Sequence, residues 1–411
     1  MKILQVTNFF KPSWEAGGLA RAAYEISKKF LENGHEVTVY TTDGFKRKID
    51  VEKNKPVEVD GLKTYYFTNL TRYLAGIASP IPYYLPMVAR KEIMNFDVIH
   101  LHGLTMIGFL VHRYAKKYDI PYLLQGHGSL FFKMRGKVSF SPNGIISIKK
   151  MNLIKKARNT LFERPTLHSA SKFIALTKTE AEQCKKIDID EEKIEIIPNG
   201  INLSEYDILP EKGMFRKKYL LGENEKLILY LGRIHRIKGL DLLVKAFAGL
   251  LKEFDNARLV IVGPDDGFLS TLKNLVQDLK IGDKVLFTGL LYERDKLEAY
   301  VDADVYVLPS MYETFPSTVL EAWACGTPVI TTDRCGIADI VSKVGFVVKY
   351  DIEQIQNAIF EILSDDKLRK KFGAKGLKLV EEEFSWNTVI RKIETLYETV
   401  LTKNDRKCST I

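Results

Sequence analysis

The stretch from Asp304 to Asp333, DVYVLPSMYETFPSTVLEAWACGTPVITTD, limits the choice of fold more than any other part of the chain. Val305 to Leu308 and Val329 to Thr332 are apolar runs too short for helices, so they read as buried strands. Between them lie a loop with Pro309 and Ser310, a helical pattern from about Ser317 to Cys325, and a Gly-Thr-Pro turn. Two short apolar strands joined by a helix predict a parallel βαβ unit.

Two carboxylates punctuate the stretch. Glu313 lies in the loop before the helix, and Glu321 lies just over a turn inside it, with seven residues between them. Ligands of open parallel sheets bind beyond the carboxyl ends of the strands. At such a place the N–H groups and dipole of a helix start attract a phosphate. A carboxylate on each side of an anion site suits sugar hydroxyls, one set on a hexose and one on a ribose. The plain alternative is that Ser317 caps the helix and both glutamates are solvated.

Glu313, Phe315, Leu320, Glu321, Ala322, Gly326, Thr327, Pro328, Val329 and Ile330 resemble the E-x7-E signature of the retaining glycosyltransferases of family 4. Those enzymes have the GT-B fold. Thr314, Pro316 and Thr318 stand where that signature usually has two glycines and a proline. Pro316 has no N–H to offer a phosphate, so a backbone cradle is expected to use Phe315, Ser317 and Thr318. Upstream, Arg233-Ile-His-Arg-Ile-Lys238-Gly239 follows the apolar run KLILYLG and precedes a helical pattern. Arg forks onto two oxygens and Lys acts as a point charge, so the two suit one diphosphate. This turn resembles the family's G-R…K-G element, whose Arg and Lys hold the donor's diphosphate.

A chain of 411 residues exceeds one ordinary core, so two domains are expected. With 45% hydrophobic and 27% charged residues the composition is that of a globular protein. No run of eighteen apolar residues predicts a spanning helix. The strand pattern begins at Ile3, leaving no room for a secretory signal. Cys184, Cys325, Cys335 and Cys408 are far apart, so reduced thiols are expected, and no zinc site. The net charge of +9 is uneven: residues 1–205 hold 31 Lys/Arg against 21 Asp/Glu, and residues 206–411 hold 30 against 31. Between Ile120 and Phe162 there is no acidic residue. An anionic surface near the amino-terminal half is the expected partner.

In chain order, MKILQV reads as a strand, followed by an oversized loop and a helix from about Leu19 to Glu32. Gly17 and Gly18 at the helix mouth would let a backbone approach a ligand closely; in the resembled family this loop faces the donor phosphates and the acceptor. A charged connection and a strand pair around Val57 and Lys63 to Phe67 come next. RYLAGIASPIPYYLPMVARKE reads as an irregular, amphipathic stretch, either a packed loop or a surface that meets lipid. FDVIHLHG and PYLLQGHG are strands, the second ending in Gly126-His127-Gly128. His127 is either a polar loop residue or, as the resemblance implies, a contact to the donor hexose; His102 is a weaker candidate of the same kind. Ser129 to Pro165 is basic and partly helical, with Ile148, Met151, Ile154 and Leu161 on one apolar face. That pattern fits a membrane interface or a domain helix with a solvated lysine face. The boundary is placed near Tyr206. Asp188/Asp190 and Asp302/Asp304 form D-x-D strings, read as structural rather than as cation ligands, and no His/Cys/Glu cluster has metal spacing.

The expected fold is therefore α/β of GT-B type, two Rossmann-like domains facing a cleft. An acceptor-side domain spans 1–205, a nucleotide-sugar domain 206–385, and a terminal helix 386–411 returns to the first. The resemblance implies a retaining, metal-independent hexosyltransferase acting from a nucleotide-sugar co-substrate, with no other cofactor, on a lipid-linked or cell-surface glycan precursor. Its catalytic residues would be His127, Glu313, Arg233 and Lys238. Its donor site would hold Gly17, Gly18, Arg233, Lys238, Glu313, Phe315, Ser317, Thr318 and Glu321. A cytoplasmic place, free or peripheral on the cytoplasmic membrane face, is expected, with a glycan or lipid-linked partner and no nucleic acid. The alternatives are a GT-B epimerase, which needs no acceptor, and a basic nucleic-acid-binding protein, which leaves Glu313 and Glu321 unexplained.

Overall fold

The computed structural model describes residues 1–14, 17–44, 49–70, 81–128, 137–139, 147–149 and 159–408. The chain divides into two units. The first holds Met1–Ser141, Ile145–Gly200 and Trp386–Ile411, and the second Ile201–Ser385 with Pro142–Gly144.

The first unit is built on an eight-stranded sheet. Its strands are β1 (Lys2–Val6), β2 (Glu36–Thr42), β3 (Pro56–Val59), β4 (Leu62–Phe67), β5 (Val98–His102), β6 (Tyr122–Gln125), β9 (Lys172–Ala175) and β10 (Ile194–Ile196), in the order β10-β9-β6-β5-β1-β2-β4-β3. All pairings are parallel except β3 on β4 at the edge. The central strands are buried along their whole length, which is why they read as continuous apolar runs rather than alternating ones. Helix α1 (Gly18–Glu32) turns Ala22, Ala23, Ile26 and Phe30 inward, and the C-terminal helix Trp386–Cys408 joins the same cluster through Val389, Ile390, Ile393 and Tyr397. A small antiparallel pair, β7 (Lys137–Ser139) with β8 (Ser147–Lys149), lies apart from the main sheet.

The second unit carries a fully parallel sheet. Strands β11 (Lys226–Leu231), β12 (Ala257–Val262), β13 (Val285–Gly289), β14 (Val305–Leu308), β15 (Val329–Thr332) and β16 (Phe346–Val348) run in the order β13-β12-β11-β14-β15-β16. The predicted βαβ unit is present: Tyr306, Val307 and Leu308 pair in parallel with Val329, Ile330 and Thr331, and helix Ser317–Ala324 joins them. In both sheets the winding reverses beside the first strand of the unit, between β1 and β5 and between β11 and β14. Those reversal points open a crevice beyond the strand ends.

Three local readings need correction. Residues 85–92 form a helix, not irregular chain; Pro86 sits in its first turn, where a missing N–H costs nothing. Ser147–Lys149 is a strand, and Leu161 lies in a π-helical turn with its side chain 61% exposed. Met151 and Ile154 of the expected apolar face lie outside the described residues. Ser317 does not cap its helix; Pro316 occupies that position and no side chain caps it.

Candidate functional site

The site in the second unit grows from two tyrosines, Tyr230 near the carboxyl end of β11 and Tyr306 inside β14. Tyr230 and Tyr306 are fully buried. The Tyr230 hydroxyl donates to the Arg233 carbonyl at 2.9 Å. The Tyr306 hydroxyl donates to Thr318 Oγ1 at 2.7 Å and lies 3.2 Å from the Leu231 carbonyl. One ring thus anchors the basic turn and the other anchors the helix start. Burial holds both phenols far above their ordinary range, and the carboxylates of Glu313 and Glu321 add to the effect at Tyr306.

The turn Arg236–Lys238 is seated against the loop that leaves β14. Met311 N donates to the Ile237 carbonyl at 2.8 Å. Gly239 has φ +67°, and a Cβ there would stand 2.1 Å from the Pro309 carbonyl oxygen. No other residue fits that position. This seating brings Lys238 Nζ onto Glu313 Oε2, both side chains being mostly buried. Glu313 is fixed from the other side as well: Gly336 N donates to its carbonyl at 2.7 Å. Arg233, on the same turn, is exposed and pairs with Asp266. Glu321, inside the helix, accepts from Lys296 at 3.1 Å and from the Tyr300 hydroxyl at 3.2 Å. Ser317 is exposed, Thr318 is half-buried at the helix start, and Phe315 packs partly buried against the core.

A second cluster lies in the first unit, beside the other reversal point. His127 ends the chain that leaves β6, at φ +48°. Its Nε2 is 3.1 Å from His102 Nδ1. Glu180, buried, accepts from Gly128 N and from Leu176 N, each at 2.7 Å. A Cβ at Gly126 would come within 2.6 Å of the Glu180 carboxylate, which explains the first glycine of Gly126-His127-Gly128. His102 is fully buried, so it supports His127 rather than standing as a second candidate contact. Gly17 adopts φ +58° at the cap of α1, and Gly18 begins the helix; a Cβ on either meets nothing within 4 Å. Backbone conformation, not crowding, is what Gly17 answers.

Lys238 and Glu313 are therefore in contact, with Arg233 on the same turn and Glu321 on the adjoining helix. His127, Gly17 and Gly18 belong to the first unit. Sequence reading missed Tyr230, Tyr306, Asp266 and Lys296. The one signal for the tyrosines was a hydroxyl-bearing ring inside each of two otherwise aliphatic strands, LILYL and VYVL. Asp302 and Asp304 turn inward: Asp302 accepts from Arg216 N at 2.9 Å and Asp304 from Leu227 N at 2.9 Å. Among the described residues no three His, Cys, Asp or Glu side chains gather as a metal cluster. Nor is any described helix long and apolar enough to cross a membrane.

Two family models match the chain, one described as Glycosyltransferase Family 4 over residues 16–205 and one as Glycosyl transferases group 1 over residues 211–379. An uncharacterized glycosyltransferase of Methanocaldococcus jannaschii is 28% identical over 404 residues, covering 97% of this chain and 98% of its own. The N-acetyl-alpha-D-glucosaminyl L-malate synthase of Bacillus anthracis is 25% identical over 407 residues, 94% of each. Among solved structures, that of Anabaena HepE in complex with UDP matches with a TM-score of 0.74 at 17% identity, covering 97% of this chain and 100% of that one.

Proposed function

The chain belongs to the group 1, family 4 glycosyltransferases and has the GT-B fold, and from that premise we propose that it moves a hexose from a nucleotide-sugar to a hydroxyl acceptor with retention of anomeric configuration. The observation that carries the reading is the seating of Lys238 on Glu313 beside Arg233 at the winding reversal of the second sheet. A diphosphate in that crevice meets two cations and a helix start.

The chemical difficulty is leaving-group charge. As the glycosidic bond to the diphosphate breaks, negative charge grows on the phosphate oxygens. Arg233 and Lys238 stabilise it, together with the N–H groups of the chain from Phe315 to Thr318. Pro316 contributes none. Glu313 holds sugar hydroxyls once the diphosphate draws Lys238 away from it, and Glu321 holds the ribose. The leaving phosphate takes the acceptor's proton in a front-side attack, so the reaction needs neither a protein nucleophile nor a metal. The acceptor is anionic or presented at an anionic lipid surface, which fits the excess of Lys and Arg in residues 1–205. The Bacillus anthracis relative is named as an N-acetyl-alpha-D-glucosaminyl L-malate synthase.

Thermal denaturation with UDP-, GDP- and ADP-sugars tests the donor class, because a ligand that binds the folded chain raises its stability. A rise with one nucleotide and its sugars, undiminished by EDTA, is expected. No shift with any of them defeats the proposal. Product analysis by NMR then reads the anomeric configuration, and an inverted product removes the retaining assignment.

A further inference from the structure

Helix Glu293–Asp302 presents Lys296 and Tyr300, four residues apart and so on one face. Both reach Glu321, inside helix Ser317–Ala324. Lys296 Nζ is 3.1 Å from Glu321 Oε2, and the Tyr300 hydroxyl is 3.2 Å from the same oxygen. Only 18% of the Lys296 side chain and 14% of the Glu321 side chain are exposed. Tyr300 is fully buried. An ion pair so far removed from water adds little net stability, because the cost of desolvating both groups offsets most of their attraction. Stability alone therefore does not account for the pair.

The residues that hold Glu321 are themselves fixed. The Tyr300 ring lies against Tyr306 at 5.7 Å, and its hydroxyl is also 3.3 Å from the Thr318 carbonyl. Thr327 Oγ1 donates to the Tyr300 carbonyl at 2.7 Å, so the turn that follows helix Ser317–Ala324 is tied to the same residue. Burial holds the Tyr300 phenol far above its ordinary range, and the Glu321 carboxylate adds to the effect. At neutral pH the hydroxyl therefore keeps its proton and can only donate to a carboxylate. Lys296 and Tyr300 together occupy Oε2. Oε1 has no partner among the described residues. The free acceptor capacity of Glu321 thus lies on one atom of known orientation.

We propose that Lys296 and Tyr300 are positioning residues that hold Glu321 for the ribose of the nucleotide, gripping Oε2 so that Oε1 accepts from the ribose hydroxyls. Glu321 has a long side chain, and its orientation is lost unless something holds the far oxygen. Lys296 supplies the charge-assisted bond, and Tyr300 supplies the rigid one. The consequence is a specificity rule: the site favours a nucleoside diphosphate with ribose hydroxyls over one without them, and it does so through Lys296. The role given to Glu321 rests on the glycosyltransferase reading above; the grip of Lys296 and Tyr300 on its carboxylate does not.

The test is titration calorimetry of the full chain with UDP, GDP and ADP, each beside its 2′,3′-dideoxy counterpart. The quantity read is the ratio of the two affinities, so a change common to both forms cancels. In the unaltered chain the nucleotide that binds is expected to be held about tenfold more tightly than its dideoxy form, the scale of a hydrogen bond to a charged group. Lys296→Met keeps most of the side-chain stem and removes the ammonium, which should bring the ratio down to about twofold. Lys296→Arg keeps a cation and should restore most of it. Should Lys296→Met fail to fold, Lys296→Gln is read in the same way. A ratio untouched by the loss of the ammonium, including an equal loss for both forms, overturns the positioning role. Equal affinities in the unaltered chain overturn the ribose contact of Glu321 and leave the enzymatic reading standing. Binding of no nucleoside diphosphate overturns both.

Discussion

Gly239 is the residue on which the geometry of Lys238 turns. Its φ of +67° and the 2.1 Å approach of the Pro309 carbonyl to any Cβ make Gly239→Ala both strained and crowded. It should cost about 2–4 kcal/mol in denaturant unfolding and lower turnover as well; a silent variant would mean that the turn is not held as described. Tyr306→Phe deletes a hydroxyl that binds Thr318 Oγ1. A loss of about 1 kcal/mol in stability is expected, together with weaker nucleotide-sugar binding by titration calorimetry. Glu313 and Lys238 were legible in the sequence because each sits in a short motif bounded by a strand and a helix. Tyr230 and Tyr306 were not, since a tyrosine in an apolar strand reads as core until the fold shows where its hydroxyl ends. Asp266 and Lys296 were hidden for another reason: their partners, Arg233 and Glu321, are remote in sequence. His102 read as a weaker candidate of the same kind as His127, and its complete burial was not legible in the sequence.

At the scale of elements, the C-terminal helix is the piece whose removal should be felt most. Trp386 packs so closely on Gly200 that a Cβ there would lie 2.6 Å from the indole. Val389, Ile390, Ile393 and Tyr397 continue the contact with the cluster that includes Phe30 of α1. Trp386→Ala should cost about 3–5 kcal/mol through the cavity it leaves, measured as a lower denaturation midpoint of the first unit. A change within 0.5 kcal/mol would show the helix to be loosely docked. The alternation of apolar strands and helices was readable from the sequence because parallel strands covered on both faces cannot hide their composition. The helix at 85–92 was not, because Pro86 reads as a breaker unless it falls in the first turn. Ser147–Lys149 read as helical on lysine and isoleucine spacing that a three-residue strand shares.

At the scale of the whole molecule, charge and protonation make two predictions. His100, His102 and His112 are held below their ordinary range, chiefly by burial, with His112 at about 4. Below about pH 6.5 the unfolded chain takes up protons that these rings refuse, so stability falls as pH falls toward 4. Each fully buried ring accounts for up to about 2 kcal/mol between pH 7 and 5. Burial raises Glu180, which works the other way with a single proton. Replacing His100 with Asn should flatten the acid limb of a stability–pH curve; an unchanged slope would contradict the assignment. The excess of Lys and Arg in residues 1–205 predicts liposome binding that grows with anionic lipid and fades with salt, and indifference to lipid charge would remove the membrane reading. The central claim concerns the grip on a diphosphate, and turnover of Lys238→Ala in EDTA tests it most directly. A loss of two to three orders of magnitude or more, on the scale of a lost oxyanion-stabilising group, is predicted for the folded variant. Turnover close to that of the unaltered chain would contradict it.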